Sequence, residues 1–216
     1  MVTAYTFNTQ YRPAESANTL MPSLRLLEGG RFAPRQFAPV LIQEYGQTRL
    51  KFFQWGLVPA WSKHDLHPRY FAPVAQTEQN PIFQLPLRRN RCLIPADGFY
   101  TDGLQAGSRQ TYKYTRDDGD TFCFAGIYDT WRQRDGSLLY SFALMTTDSP
   151  AGTQSRLGLQ MPLILAPAQE KKWLDTTTPA DVIDRIIGAP VQRLSLVSLP
   201  VLQLDLPEYH YEQAAA

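Results

Sequence analysis

Hydrophobic and polar residues alternate along much of this chain with the two-residue period of β-strands. Segments with this alternation, or with a short continuous apolar run between turn residues, are predicted to be strands. They are residues 2–8, 39–45, 50–58, 111–115, 122–131, 138–147, 161–165 and 192–204, together with a buried strand that begins at Cys92. Asp135-Gly136 lies between two of these segments and predicts a hairpin, because Gly readily adopts positive φ.

Helical signals are fewer and concentrate near the C-terminus. Pro167 suits the first position of a helix over 168–175, and Thr178 with Pro179 predicts the start of a second helix that ends at Gly188. Leucines at positions 20, 24 and 27 also recur at helical spacing, although Pro22 opposes a helix there. The pattern predicts a β-rich α+β fold, with a curved antiparallel sheet or open barrel and short peripheral helices. We assign one domain to residues 1–206 and a flexible tail to 207–216.

Composition and net charge indicate which classes of partner, nucleic acid or membrane, this chain can bind. The chain has 216 residues, 44% of them hydrophobic, and a formal net charge of +1. Proteins that bind mainly through the phosphate backbone are usually more basic, so any nucleic-acid binding must come from a local patch. The N-terminus lacks the features of a secretory signal, and no apolar run approaches the ~18–20 residues that cross a bilayer. We therefore predict a cytoplasmic protein without a membrane partner.

The cysteines and histidines do not predict a metal site. Cys92 and Cys123 lie in apolar, strand-like segments, and the three histidines lie in polar segments without zinc-type spacing. We predict two buried structural thiols, no metal and no cofactor.

Five short motifs, taken together, resemble the SRAP family, which is known for abasic-site processing. The central one is Arg-Cys-Leu-Ile-Pro-Ala-Asp-Gly-Phe-Tyr at 91–100. The others are Ala-Pro-Arg-Gln at 33–36, Trp-Gly-Leu-Val-Pro-Ala-Trp at 55–61, Ala-Leu-Met-Thr-Thr-Asp at 143–148 and Met-Pro-Leu-Ile-Leu at 161–165. They occur in the family's order and at its separations, from about residue 1 to residue 205. The resemblance implies the fold of that family.

The resemblance also implies a covalent chemistry, but this chain lacks the residues that perform that chemistry in the family. In the family, an N-terminal Cys at position 2 forms a thiazolidine with the aldehyde of an abasic site in single-stranded DNA, assisted by an Asn, a Glu and a His. The corresponding positions here hold Val2, Phe71, Thr101 and Gly158. Ala4 also replaces an arginine that contacts phosphate. Four losses beside intact scaffold motifs predict a member without catalytic residues.

We interpret the chain as a non-catalytic binding or regulatory protein that acts through the family's active-site groove. Its partner is single-stranded DNA, bound weakly, or a protein or peptide in that groove. The alternative is abasic-site processing through a Schiff base at the α-amine of Val2, which requires removal of Met1. A peptidase of altered specificity has less support, because the sequence shows no nucleophile and base at a recognisable spacing.

Candidate nucleic-acid contacts are a tryptophan in a loop that follows a proline and a set of arginines. An aromatic ring stacks on bases and arginine binds phosphate. The candidates are Arg31, Arg35, Trp61, Arg88, Arg89 and Arg91. The alternative for Trp61 is a role in the core or in the cleft wall. The alternative for Arg88, Arg89 and Arg91 is a solvated strand entrance that pairs with local carboxylates.

Overall fold

Strands form most of the folded chain, as the alternating pattern predicts. The computed structural model describes residues 1–7, 30–63, 67–105, 108–149, 160–189 and 196–201, which form thirteen strands and three α-helices. The strands are β1 (Val2–Phe7), β2 (Gly30–Phe32), β3 (Phe37–Glu44), β4 (Gln47–Trp55), β5 (Phe71–Pro73), β6 (Arg91–Ala96), β7 (Gly98–Gln105), β8 (Ser108–Arg116), β9 (Phe122–Arg132), β10 (Leu138–Asp148), β11 (Gln160–Pro162), β12 (Ile164–Leu165) and β13 (Leu196–Pro200). The helices are α1 (Pro81–Arg89), α2 (Pro167–Leu174) and α3 (Ala180–Gly188), and a 3₁₀ turn spans Val74–Gln76.

Five strands close into a ring. Their order is β10-β4-β3-β6-β9, and β9 pairs back onto β10. Most pairs in the ring are antiparallel, but β10 runs parallel to β4 and also to β5 beside it. The second sheet has the order β13-β8-β7-β1-β2 and is antiparallel throughout.

Side-chain alternation along the ring strands divides the core into two clusters. On β6, Leu93 belongs to the cluster under the helices, whereas Cys92 and Ile94 belong to the cluster that fills the ring and continues to the second sheet. The interior is closely packed at Gly126, where an added Cβ would lie 2.1 Å from Cδ1 of Ile94 and 2.8 Å from Sγ of Cys92. Rings of the second sheet pack onto the same cluster, since Phe99 meets Phe124 edge-on at 5.9 Å.

The predicted fold class is confirmed, and so is the hairpin between β9 and β10, where Gly136 has a φ of +86°. The predicted helix near 168–175 is α2, with Pro167 as its first residue. The predicted start of the next helix is wrong by one residue: Pro179 is the N-cap of α3, and the Thr178 hydroxyl donates to the carbonyl of Lys172 instead. None of the described helices is long and apolar enough to cross a membrane.

The sequence leaves residues 69–87 unassigned, with Asn80-Pro81 as a turn or a helix start; in the structure α1 begins there, and Pro86 lies inside it. The helix forms because Asn80 caps it, accepting from the N–H of Ile82, and because Phe83 and Leu87 are buried against the ring. This tertiary packing outweighs the local cost of Pro86. The predicted helix near the leucines at 20–27 and the predicted tail at 207–216 lie outside the described residues.

Candidate functional site

The strand pair β1–β7 brings Val2 opposite Thr101. Both side chains are buried, with 3% and 0% of their surface exposed. A bulge in β1 follows at once, because the next paired residue, Ala4, faces Tyr100. Val2 belongs to the apolar cluster that fills the ring. The position where the resemblance implies a thiol nucleophile therefore holds a hydrocarbon side chain, and its neighbour is a threonine rather than a carboxylate.

Phe71, the third of these positions, takes part in aromatic packing on β5. Its ring meets Trp55 edge-on at a centroid distance of 5.9 Å, and Trp55 also stacks on Phe142 at 6.3 Å. The ring centroid of Tyr5 on β1 lies 5.6 Å from the ring centroid of Trp55. A hydrogen bond from Nε1 of Trp55 to the carbonyl of Tyr70 fixes the indole. Gly158 lies outside the described residues.

Neither cysteine supplies a nucleophile elsewhere in the fold. Both thiols are fully buried, and burial raises the pKa of Cys92 and of Cys123. The carboxyl of Glu170 adds to the raised pKa of Cys123. A thiol reacts and binds metal as the thiolate, which this environment disfavours. Over the described residues, no group of three or more His, Cys, Asp or Glu side chains is placed to hold a metal ion.

Trp61 lies on a loop that two polar side chains of the ring anchor. The N–H of Val58 donates to Oγ of Ser141 at 2.9 Å, and the N–H of Ala60 donates to Oδ2 of Asp129 at 2.8 Å. Trp61 itself is 61% exposed. The sequence analysis missed both anchors, although a polar residue in an otherwise apolar strand is the signal that points to them. The loop presents an indole to solvent from a fixed backbone.

Arg31 lies on β2 of the second sheet, and Arg35 lies in the turn between β2 and the ring strand β3. Cζ of Arg31 is 4.5 Å from the ring centroid of Tyr100 on β7. Arg35 has a φ of +74°, and its Nε donates to the Tyr70 hydroxyl at 3.0 Å. Its backbone N–H donates to the carbonyl of Trp55. The guanidinium of Arg35 is therefore held next to the aromatic group that contains Phe71.

Arg88 and Arg89 lie at the C-terminal end of α1, in the helical layer rather than on the second sheet. Both are exposed. Arg88 forms a salt bridge of 3.0 Å with Asp184 of α3. This matches the alternative in which the group pairs with local carboxylates. The structure does not bring these two arginines together with Arg31.

The prediction of Arg91 as a surface contact needs correction, because only 4% of this residue is exposed. Its guanidinium donates to four backbone carbonyls at the ends of α1 and α2. They belong to Leu87, Arg88, Trp173 and Asp175, at 2.9, 2.8, 2.6 and 2.7 Å. The last carbonyls of a helix have no partner within the helix, and Arg91 satisfies them for two helices at once. Its donors point into the protein and not toward a ligand.

Several known proteins are similar to this chain. Abasic site processing protein YoqW of Bacillus subtilis is 32% identical over 146 residues, which cover 66% of this chain and 65% of that protein. Abasic site processing protein HMCES of Rattus norvegicus is 28% identical over 184 residues, covering 66% of this chain and 52% of that protein. The aligned region thus spans less than two thirds of either relative's length.

Solved structures and a family model agree on the fold. A protein from Bacteroides thetaiotaomicron superposes with a TM-score of 0.76 at 20% identity, over 92% of both chains. A phage-related protein from Bordetella bronchiseptica superposes with a TM-score of 0.73 at 22% identity, over 93% of this chain and 94% of that one. The family model for SOS response associated peptidase matches residues 13–204. The chain therefore belongs to the SOS response associated peptidase (SRAP) family.

Proposed function

We propose that this protein is a non-catalytic member of the SRAP family that binds single-stranded DNA without forming a covalent bond to it. The observation that carries the proposal is the buried pair of Val2 and Thr101, 3% and 0% exposed. Covalent catalysis on an aldehyde needs a nucleophile and a group that transfers protons. Valine supplies no nucleophilic side chain, and a threonine hydroxyl does not ionise near neutral pH.

Packing around this pair supports the loss of the site. Phe71 lies against Trp55, so an apolar ring occupies a position where the resemblance implies an asparagine. The two thiols of the chain are buried, with raised pKa values. Removal of Met1 would leave the α-amine of residue 2 as a nucleophile at the start of β1. Met1 is 55% exposed, so β1 begins at the protein surface, and Schiff-base formation at that amine is the second candidate.

DNA as the ligand is supported by the relatives' names and by the surface chemistry of this chain. The relatives are named abasic site processing proteins. Trp61 is exposed on its anchored loop, and a base stacked on an aromatic ring is worth about 1–3 kcal/mol. Arg31 and Arg35 add positive charge on elements near β1. With a net charge of +1, we expect binding to be weak and to depend on this local patch.

Equilibrium binding tests the proposal. Fluorescence anisotropy is measured with a labelled single-stranded oligonucleotide that carries one abasic site, and with a matched oligonucleotide that carries a tetrahydrofuran analogue without the aldehyde. We expect equal affinities, because non-covalent binding does not use the aldehyde. Tighter binding to the oligonucleotide with the aldehyde, or a fraction of bound protein that competitor DNA does not displace, would contradict non-covalent binding. Binding to neither oligonucleotide would exclude DNA and direct attention to a peptide ligand.

Trp61 provides a variant for the same assay. Trp61→Ala is expected to weaken binding about 5- to 150-fold, the equivalent of one lost stacking contact. Tyr45→Asn is the matched control, because Tyr45 is a fully exposed aromatic residue with a φ of +51°, which Asn tolerates. The urea midpoint of both variants should stay at the wild-type value. Equal losses in the two variants would remove Trp61 from the proposed contact surface.

A further inference from the structure

The outer face of the second sheet carries two cations on one aromatic ring. Alternation along β7 and β8 buries Phe99 and Tyr114 on the inner face and places Tyr100 and Lys113 on the outer face. Cζ of Arg31 lies 4.5 Å from the centroid of the Tyr100 ring, and Nζ of Lys113 lies 5.9 Å from the same centroid. Both distances are within the range of a cation–π contact.

The register of four strands explains how these side chains meet. Arg31 of β2 is opposite Thr6 of β1, and Tyr100 of β7 is opposite Ala4. The long side chain of Arg31 therefore crosses β1 to reach the Tyr100 ring on β7. The small side chains on β1 leave room for this crossing.

Lys113 reaches the ring in a similar way from β8. It is opposite Tyr100, and a Cβ added at Gly98 would lie 3.2 Å from Cε of Lys113. The aliphatic part of Lys113 therefore lies over Gly98, where a side chain would displace it. Gly98 is the glycine of the Asp-Gly pair in the central motif.

Two acidic side chains at this sheet accept hydrogen bonds from its strands. Asp102 accepts from Nε of Arg109 at 3.1 Å and from the hydroxyl of Thr111 at 2.8 Å. Asp97 accepts from the hydroxyl of Thr6 at 2.5 Å. Arg31, Tyr100 and Lys113 are each partly buried, and an anion at this ring would meet donors whose positions the ring restricts.

We propose that Arg31 and Lys113, oriented by Tyr100, bind backbone phosphates of single-stranded DNA on the outer face of the second sheet. This inference rests on the proposed function and assigns the phosphate-binding surface of the same protein. Charge complementarity favours an anionic strand over a neutral peptide. Of the three side chains, only Arg31 was a candidate from the sequence; strand alternation was the signal for Tyr100 and Lys113.

The test is a salt series of anisotropy titrations with labelled single-stranded oligothymidine. Each phosphate contact contributes about −0.7 to the slope of log K against log[salt] for single strands. Arg31→Gln and Lys113→Gln should each weaken binding at low salt by roughly threefold or more and lower the magnitude of that slope by about 0.7. The matched control is Arg49→Gln, an exposed arginine of β4 that hydrogen-bonds Gln47 at 2.7 Å, and it should change neither quantity.

A second pair of variants tests the role of the ring. Tyr100→Phe keeps the aromatic face and should bind as the wild type does, whereas Tyr100→Leu should lose affinity in the same direction as Arg31→Gln. Urea midpoints establish that each variant is folded, and the salt slope is a readout that altered stability does not mimic. Wild-type affinity and slope in both Arg31→Gln and Lys113→Gln would overturn this surface while the proposed function stands. Absence of binding by the wild-type protein would overturn both.

Discussion

At the scale of single residues, Arg91 shows how a basic cluster in the sequence divides between surface and core. Arg88 and Arg89 end a helix and are exposed, whereas Arg91 begins β6 and is buried. Burial lowers the pKa of its guanidinium, and the carboxyl of Asp175 opposes that effect. An arginine remains charged in such an environment, because its reference pKa exceeds 12. Its role is to join the ends of two helices.

Replacing the guanidinium by an ammonium tests this role. Arg91→Lys should lower the free energy of unfolding by about 2–4 kcal/mol, because carbonyls of Leu87, Arg88, Trp173 and Asp175 lose donors and one charge stays buried. Arg89→Lys is the matched control and should stay within about 0.5 kcal/mol of the wild type. Urea denaturation measures both. Equal stability of the two variants would show that Arg91 does not hold the helices.

Residue identity can be read from the sequence, whereas the burial of a single side chain often cannot. The sequence predicts that Val2 and Thr101 carry no catalytic chemistry, since residue identity alone shows that neither a thiol nor a carboxylate is present there. It did not distinguish Arg91 from Arg89, because three arginines in four residues give no periodicity. The strand that begins at Arg91 determines which of them points inward.

At the scale of elements, helix α2 places a carboxyl in the core. Glu170 is in the first turn of α2 and is 4% exposed. Burial raises its pKa from 4.5 to about 7, and a hydrogen bond with the thiol of Cys123 on β9 partly opposes the rise. A carboxyl in the first turn also interacts favourably with the helix dipole. The contact between Glu170 and Cys123 joins α2 to the ring.

Stability should therefore depend on pH through Glu170. The folded state holds this proton more tightly than the unfolded state, so its contribution to the free energy of unfolding is fully present below pH ~4.5. That contribution falls as pH rises and is lost above pH ~7. The total loss is about 3 kcal/mol, because each unit of pKa difference corresponds to roughly 1.4 kcal/mol.

The measurement is urea denaturation from pH 4.5 to 8 for the wild type and for Glu170→Gln. Gln is neutral and similar in shape. The difference in the free energy of unfolding between the two proteins therefore isolates the Glu170 carboxyl from all other ionisable groups. We expect the stability of Glu170→Gln to exceed that of the wild type increasingly up to pH ~7 and then by a constant amount. A difference that does not change with pH would mean that Glu170 is not buried as an acid.

The elements that the sequence predicted best are those with a strong local signal. The hairpin at Asp135-Gly136 and the helix after Pro167 depend on residues that are adjacent in sequence. For helix α1 the local signal indicated only a turn or a helix start at Asn80-Pro81, because the helix is stabilised by Phe83 and Leu87 packing against the ring, a contact that local propensity does not contain.

At the scale of the whole molecule, the fold positions its sites through pairings between distant segments. The ring closes through parallel pairing of β10 with β4, at Ser141 with Gln54 and Phe142 with Trp55. The same layout places β1 beside β7, so that the N-terminal strand meets the end of the central motif. A β-rich fold was predictable from the period-two pattern. The ring closure and the parallel pairs were not, since strand order depends on long-range contacts.

The most direct test of non-covalent binding is a denaturing gel after incubation of the protein with a single-stranded oligonucleotide that carries one abasic site, with and without borohydride. Mass spectrometry first establishes whether Met1 is present, and the tetrahydrofuran oligonucleotide is the control without an aldehyde. We expect no shifted band in any lane, because non-covalent binding does not survive denaturation. A band without borohydride would contradict the loss of covalent chemistry. A band with borohydride alone would show that an amine of the protein forms a Schiff base with the aldehyde and would contradict purely non-covalent binding; peptide mapping of the trapped band would distinguish the α-amine of residue 2 from a lysine.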